Sequence, residues 1–124
     1  MSEELIKAAR GAMKQAYAPY SRFRVGAALE AESGEIFTGC NVENASYGLT
    51  LCAERNAIGA AVAAGKRKFT RVAIVTSGRK LTPPCGACRQ ALREFGSGIQ
   101  VLMVGGKKVK RMSLEKLLPN AFHS

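Results

Sequence analysis

Two cysteine-containing segments constrain this chain of 124 residues more than any other feature. The first segment reads Cys52-Ala53-Glu54, and the second reads Pro84-Cys85-Gly86-Ala87-Cys88. Three thiolates are suitable ligands for zinc, and three protein ligands leave the fourth tetrahedral position open. A fold that uses this metal chemistry must bring two segments that are distant in the sequence to one point.

Glu54 stands two residues after the first cysteine, where its carboxylate can move protons without binding the metal. A Cys/His-x-Glu segment combined with Pro-Cys-x-x-Cys is typical of zinc-dependent base deaminases. His123 is the only histidine and the penultimate residue, so we expect Glu54 and not a histidine to carry protons. The alternative is a closed structural zinc site with Cys40 as the fourth ligand, which would leave Glu54 without a purpose.

The formal net charge of +10 raises the question of a nucleic-acid partner. Basic residues concentrate in segments 66–68 and 107–111, which lie beside glycines and contain no interleaved stacking aromatic residues. This pattern favours two solvated faces over a nucleic-acid surface.

Residues 1–124 fit one compact domain, and a hydrophobic content of 47% agrees with a substantial core. No stretch approaches the roughly 18 consecutive apolar residues that a membrane span needs. The acidic N-terminus differs from a secretory signal, so we expect a cytoplasmic protein. In that compartment four cysteines are expected to bind metal or take part in catalysis and not to form disulfides.

Strand-like and helix-like segments alternate along the chain, which predicts an α/β domain with helices on both faces of one mixed sheet. We expect the first helix to begin after Ser2 as its N-cap, and the last to be capped by Ser113. Cys52 and Cys85 each begin a predicted helix, where the helix dipole helps to keep thiols ionised. The predicted strands cover residues 24–30, 35–38, 71–76 and 99–104 with a fifth around Val109, and the later helices cover 51–64, 85–95 and 113–118.

Along nearly its whole length the chain resembles the small, homotetrameric, all-cysteine zinc type of cytidine deaminase. Only the two zinc segments are shared with deaminases generally, so the remaining motifs make the resemblance specific. The motifs that carry it are Tyr17-Ala18-Pro19-Tyr20-Ser21, Phe23, Val25-Gly26-Ala27-Ala28-Leu29, Asn41-Val42-Glu43-Asn44-Ala45-Ser46-Tyr47, Cys52-Ala53-Glu54-Arg55, Pro84-Cys85-Gly86-Ala87-Cys88-Arg89-Gln90 and Leu117-Leu118-Pro119-Asn120-Ala121-Phe122.

The resemblance implies a three-layer α/β/α sandwich around a five-stranded mixed sheet. It implies a homotetramer with active sites shared across subunit interfaces. By the same resemblance Cys52, Cys85 and Cys88 hold one zinc ion per chain, and Glu54 is the proton shuttle.

The resemblance also implies which residues hold a nucleoside substrate. Phe23, Asn41 and Glu43 match such residues, and the last two contact the ribose. Asn41 and Glu43 are two apart on an extended segment, so their side chains point the same way, although a structural turn has the same pattern. The backbone of Ala53 is expected to contact the base.

Four further residues match positions outside this first group. Tyr47 and Phe122 match residues that help to complete a neighbouring subunit's site, and Arg55 and Gln90 match the surroundings of the zinc ligands. Pro83 is a departure, since the family often has serine there, and the chain also ends two residues after Phe122.

The resemblance implies hydrolytic deamination of cytidine and deoxycytidine to uridine and deoxyuridine, with release of ammonia, in pyrimidine salvage. In this interpretation zinc activates the water that attacks C4, while Glu54 carries protons. One alternative substrate is a cytosine-containing antibiotic such as blasticidin S, and another is a polynucleotide. An alternative from another class is a nucleic-acid-binding module with a structural zinc.

Overall fold

The computed structural model describes residues 2–123 as a five-stranded mixed sheet flanked by helices. The elements are α1 (Ser2–Met13), β1 (Val25–Ala31), β2 (Ile36–Cys40), α2 (Ala53–Ala63), β3 (Phe69–Thr76), α3 (Gly86–Arg93), β4 (Gln100–Gly105), β5 (Lys108–Ser113) and α4 (Leu114–Leu117), with a 3₁₀ turn at Tyr47–Leu49. The strand order is β2-β1-β3-β4-β5, in which only β3 and β4 are parallel neighbours.

Helices cover both faces of the sheet, which confirms the predicted three-layer arrangement. On one face, Leu5 and Ala9 of α1 are fully buried against Ala28, Ala73 and Val75 of the central strands. On the other face, α2 and α3 bury an aliphatic cluster against alternate residues of the same strands. Central strands buried on both sides explain the continuous apolar pattern of β3.

Gly39 allows α2 to pack directly on the edge strand β2. A Cβ atom at this position would lie 2.5 Å from the Ala53 carbonyl oxygen and 2.5 Å from the Ala57 amide nitrogen. Real Cβ atoms essentially never lie closer than 3.0 Å to such atoms, so only glycine permits this position of the helix. The contact fixes the first turn of α2, which carries three of the predicted site residues, Ala53, Glu54 and Arg55.

Several element boundaries differ from those that the sequence predicts. Helix α1 includes Ser2, so the prediction of Ser2 as an N-cap is wrong; its hydroxyl accepts hydrogen bonds from Arg71 and Arg111. Strand β3 begins at Phe69 because this residue pairs with Ala31 beyond a shift in register. The prediction of Ser113 as the cap of α4 is confirmed, since its hydroxyl accepts from the Lys116 amide.

Within residues 2–123, none of the helices combines the length and the apolar character that crossing a bilayer requires.

Candidate active site

The three predicted cysteine ligands converge at the N-termini of α2 and α3. Cys52 and Cys85 occupy the N-cap positions of these helices, and Cys88 follows one turn into α3. The Cys52 and Cys85 sulfur atoms are 4.0 Å apart, and those of Cys85 and Cys88 are 3.5 Å apart. Tetrahedral zinc with bonds of about 2.3 Å requires sulfur atoms roughly 3.8 Å apart. The cluster therefore fits zinc, and all three sulfur atoms lie within 4.8 Å of one another.

The local backbone explains why these sulfur atoms are available to a metal. Both N-cap residues have extended backbone angles, and neither side chain makes a capping hydrogen bond to the described backbone. For Cys85 burial acts to raise the thiol pKa, but hydrogen bonds from the Cys88 backbone and the neighbouring thiols outweigh it and lower the pKa. Burial raises the pKa of Cys88, which is fully enclosed in the protein. Thiolate formation at Cys88 therefore depends on a cation at the cluster.

Arg55 supplies positive charge next to the thiolates. Its Nη2 atom donates a hydrogen bond of 3.4 Å to the Cys52 sulfur, and this contact raises the guanidinium pKa. The predicted proximity of Arg55 to a ligand sulfur is thus present in the structure. Three thiolates and a divalent cation carry a net charge of −1, which the guanidinium offsets.

Glu54 is buried beside the cluster. Only 5% of the residue is exposed, and burial raises the pKa of its carboxyl. The Cys88 thiol and the Arg55 charge oppose this rise without cancelling it. A carboxyl that is desolvated in this way holds a proton more readily than a surface carboxyl does.

A cavity of about 220 Å³ opens onto the cysteine cluster and Glu54. The wall comes from the N-terminal end of β1, the C-terminal end of β3, the loops that follow β2 and β3, and the first turn of α2. Ligand sites in α/β sheets are expected where strands end and helices begin. Among the predicted substrate residues, Asn41 and Ala53 lie in this wall. The other residues that line it are Val25, Thr50, Leu51, Ile74, Thr76, Thr82 and Pro83, together with Cys52 and Cys85.

Asn41 and Glu43 are both buried, and both are already bonded to the protein. The Asn41 Oδ1 atom accepts from the Val25 amide at 2.9 Å, and Nδ2 donates to the Phe23 carbonyl at 2.8 Å. This leaves one Nδ2 hydrogen and one Oδ1 lone pair of Asn41 for another partner. Glu43 does not line the cavity in the described chain, and its carboxylate anchors the loop before β1.

The anchoring of Glu43 uses three contacts. Its Oε1 atom accepts from the amides of Tyr20 and Ser21 at 3.0 and 3.1 Å, and its Oε2 atom accepts from the Ser21 hydroxyl. The hydrogen bond from that hydroxyl is the main cause of the lowered pKa of Glu43. Glu43 is therefore ionised at neutral pH and retains one acceptor position on Oε2.

The predicted aromatic residues are exposed and are not among the residues that line the cavity. Phe23 is partly exposed, and its ring lies near the Gly78 backbone. Tyr47 is 73% exposed and Phe122 is 78% exposed. The Gln90 side chain on α3 donates a hydrogen bond of 2.9 Å to the Phe122 carbonyl, so Gln90 contacts the C-terminal segment.

Cys40 lies outside the cysteine cluster found among residues 2–123. It is the last residue of β2, and its carbonyl oxygen accepts a hydrogen bond from the Asn56 side chain at 2.8 Å. The arrangement offers three ligands, as an open site requires, and gives no support to the four-cysteine alternative.

Sequence reasoning missed two residues of this region, Arg89 and Thr76. The Arg89 guanidinium donates to the Pro84 carbonyl at 2.8 Å and to the Leu117 carbonyl at 2.6 Å, so it joins the second metal segment to the C-terminal segment. Arg89 stands within the second cysteine motif, which was a signal that it belongs to the site. No local sequence pattern indicates that its side chain would bond to Leu117. Thr76 ends β3 and faces the cavity, without any motif around it.

A family model described as the cytidine and deoxycytidylate deaminase zinc-binding region matches residues 1–105. This chain belongs to the cytidine deaminase family. The deaminase family is a family of zinc-dependent hydrolases, in agreement with the cysteine cluster. A cytidine deaminase from Sporosarcina psychrophila is 46% identical over 122 residues, which cover 97% of this chain and 90% of that protein.

Solved structures of family members share the fold. A crystal structure of cytidine deaminase from Burkholderia pseudomallei superposes with a TM-score of 0.94 at 48% identity, covering 98% of this chain and 99% of that one. The blasticidin-S deaminase of Bacillus cereus is also similar, with 31% identity over 124 residues, 94% of this chain and 88% of that protein. This antibiotic deaminase is thus a relative at lower identity than the two cytidine deaminases described above.

Proposed function

We propose that this protein hydrolyses cytidine and deoxycytidine to uridine and deoxyuridine, with release of ammonia. The observation that carries this proposal is the convergence of three cysteine sulfur atoms and a buried carboxyl on one cavity. Membership of the family and the 46–48% identity to named cytidine deaminases support the choice of substrate.

In this proposal Cys52, Cys85 and Cys88 hold one zinc ion per chain, and Arg55 offsets part of the thiolate charge. When bound, zinc supplies Lewis acidity that lowers the pKa of water towards neutrality. The open fourth position follows from having three protein ligands and not four.

Glu54 moves the protons of the reaction. It takes a proton from the attacking water and donates it to N3 of the cytosine ring, which makes C4 electrophilic. After the water oxygen has bonded to C4, Glu54 takes the second proton from that oxygen and passes it to the amino group. The C4–N bond then breaks, the C4 carbonyl of the product forms, and the amine leaves as ammonia. Its raised pKa, caused by burial, suits a group that must both accept and release a proton.

The nucleoside is held by residues that the protein has already fixed in place. Asn41 retains a donor and an acceptor towards the cavity, and Glu43 retains an acceptor position for a ribose hydroxyl. In the proposal the Ala53 backbone contacts the base and Phe23 packs against the nucleoside. These groups need little reordering when substrate binds, which reduces the free-energy cost of binding.

We propose a homotetramer in which neighbouring chains complete each site. Three large apolar side chains in the segment before α2, and a fourth near the C-terminus, are more than 45% exposed. Exposed apolar side chains of this size are typical of an interface. These side chains are Tyr47, Leu49, Leu51 and Phe122.

The proposed setting is pyrimidine salvage in the cytoplasm. None of the four cysteines is in a disulfide, which is the expected state in a reducing compartment.

An ultraviolet assay of five potential substrates tests the proposed function. Cytidine and deoxycytidine should be deaminated, whereas cytosine, blasticidin S and a short single-stranded oligonucleotide should react far more slowly. The C85A variant serves as the control because it lacks one metal ligand. Preferred turnover of blasticidin S or of the oligonucleotide would assign a different substrate. Salt-dependent binding of the oligonucleotide without turnover of any compound would favour the nucleic-acid-binding alternative.

A further inference from the structure

The hydroxyl group of Thr76 is buried without a partner. Thr76 is 4% exposed, and its Oγ1 atom is the one buried side-chain nitrogen or oxygen atom of residues 2–123 that lacks a hydrogen bond. The hydroxyl of the next residue, Ser77, does have a partner, because it accepts a hydrogen bond of 3.0 Å from the Arg24 amide. Buried polar groups are nearly always paired, so an orphaned hydroxyl indicates a partner that binds from outside the protein.

The position of Thr76 identifies where that partner binds. Thr76 is the last residue of β3 and lines the cavity together with Ile74, which is two residues earlier on the same face. Its backbone neighbour in β1 is Val25, whose amide is bonded to the Asn41 side chain. Thr76 therefore adjoins the part of the wall that is proposed to hold the nucleoside, in the same cavity as Cys52 and Cys85.

We propose that Thr76 is a positioning residue whose hydroxyl hydrogen-bonds to the pyrimidine nucleoside in this cavity. The inference rests on the proposed function and adds a substrate contact to it. A hydroxyl both donates and accepts, so it suits either a sugar hydroxyl or the carbonyl oxygen of the base. Because Oγ1 is buried in the substrate-free chain, the hydroxyl has to turn towards the cavity when the nucleoside binds. It then gains a hydrogen bond that it lacks in the free protein, and this gain favours the complex.

A threonine-to-valine substitution separates this role from a structural one. Thr76→Val keeps the β-branched shape and removes only the hydroxyl. It should lower kcat/KM for cytidine roughly 2- to 12-fold, mostly through KM, as the loss of one neutral hydrogen bond predicts. In the absence of substrate the same variant should have a higher Tm, because an unpaired buried hydroxyl destabilises the free protein. Thr76→Ser, which restores the hydroxyl, should recover kcat/KM.

The experiment uses the zinc-loaded full chain and compares wild type with T76V, T76S and the control T38V. Thr38 is exposed on β2, so T38V makes the same chemical change away from the cavity.

Kinetics are measured on cytidine and on its 2′-, 3′- and 5′-deoxy analogues. If one sugar hydroxyl is the partner, the analogue that lacks it should react equally well with wild type and T76V. An equal loss on all four compounds would identify the base as the partner. The rise in Tm that the product uridine causes gives a second readout of binding, and it should shrink in T76V.

Three results would overturn the proposal: unchanged kcat/KM in T76V, an equal loss in T76S and T76V, or a lower Tm of substrate-free T76V. The last would show that the hydroxyl is paired within the protein. These results are distinct from failure of the proposed function, which would appear as absence of cytidine turnover in the wild-type protein.

Discussion

The side chain of Asn41 donates a hydrogen bond of 2.8 Å to the carbonyl oxygen of Phe23. Two residues proposed to hold the nucleoside are thus bonded to each other, and the Val25 amide fixes the opposite side of the same Asn41 amide group. Asn41 therefore has a structural task and a proposed binding task, and substitutions must be chosen to separate them.

Substitution of Asn41 or Glu43 is expected to weaken recognition of the sugar while zinc stays bound. For N41A we expect a loss of about 0.5–1.5 kcal/mol per neutral hydrogen bond. For E43Q we expect a larger loss, because the Glu43 carboxylate is charged. Both losses should appear as a smaller ratio of kcat/KM between cytidine and 2′,3′-dideoxycytidine. N41A should also lower Tm because the Phe23 carbonyl and the Val25 amide lose their partner. A cytidine/dideoxycytidine ratio that is unchanged in both variants would exclude the sugar assignment.

The zinc content of cysteine variants is expected to separate the three proposed metal ligands from Cys40. C40A should retain one zinc per chain and its activity, since Cys40 lies outside the cluster. C85A should lose both, because two thiolates cannot hold the ion as three do. Zinc measured by atomic absorption on purified protein decides the matter, and loss of metal from C40A would point to a closed structural site.

Glu54→Gln is expected to keep zinc and the fold but to lose most turnover. General acid–base groups contribute roughly 10²–10⁴-fold to the rate, and the amide can neither accept nor release the transferred proton. Bound zinc, Tm and kcat are to be measured on one preparation. A kcat near that of the wild-type protein would remove Glu54 from the proposed mechanism.

Truncation after Pro119 tests the role of the C-terminal segment. The removed part includes the exposed Phe122 ring, and the Phe122 carbonyl is held by Gln90. If the ring completes a neighbouring site, KM should rise by the equivalent of about 0.5–1.5 kcal/mol and the tetramer should loosen while zinc stays bound. Light scattering and kinetics provide the measurements. An active monomer, or unaltered kinetics after truncation, would mean that one chain completes its own site.

The ion pair between Glu30 and Arg71 should make stability depend on pH. Arg71 Nε donates to Glu30 at 2.8 Å, and this hydrogen bond is the main cause of the lowered Glu30 pKa, although burial opposes it. A lowered pKa in the folded state stabilises the protein above the unfolded-state pKa of about 4.3, and this stability is lost as pH falls through the folded-state value.

E30Q should therefore reduce the free energy of unfolding by roughly 1–3 kcal/mol at pH 7, and the difference from wild type should shrink below about pH 4. E35Q is the matched control, because Glu35 pairs with Lys66 at 3.2 Å while 59% exposed, and exposed pairs contribute about 0–1 kcal/mol. Denaturant unfolding at several pH values gives both quantities. A difference that grows on acidification would contradict the assignment.

The metal cluster was predictable because its signals are local. Each cysteine segment precedes a helical pattern, and a ligand at a helix N-terminus needs no knowledge of the rest of the chain. The sheet and its layers followed in the same way from alternating strand and helix patterns. What the sequence could not predict depends on distant partners, as in the bonds of Ser2 to Arg71 and of Arg89 to Leu117. Thr76 escaped notice because an orphaned hydroxyl is visible only once its surroundings are known.

Gly39 has a consequence for anyone who maps this protein by substitution. It is not one of the predicted site residues, yet the backbone of Ala53 and Ala57 leaves no space for a methyl group there. Any side chain at this position displaces the first turn of α2, and with it Cys52 relative to Cys85. A mutational scan scored on turnover alone would rank position 39 with the reacting groups, although its contribution is the absence of a side chain.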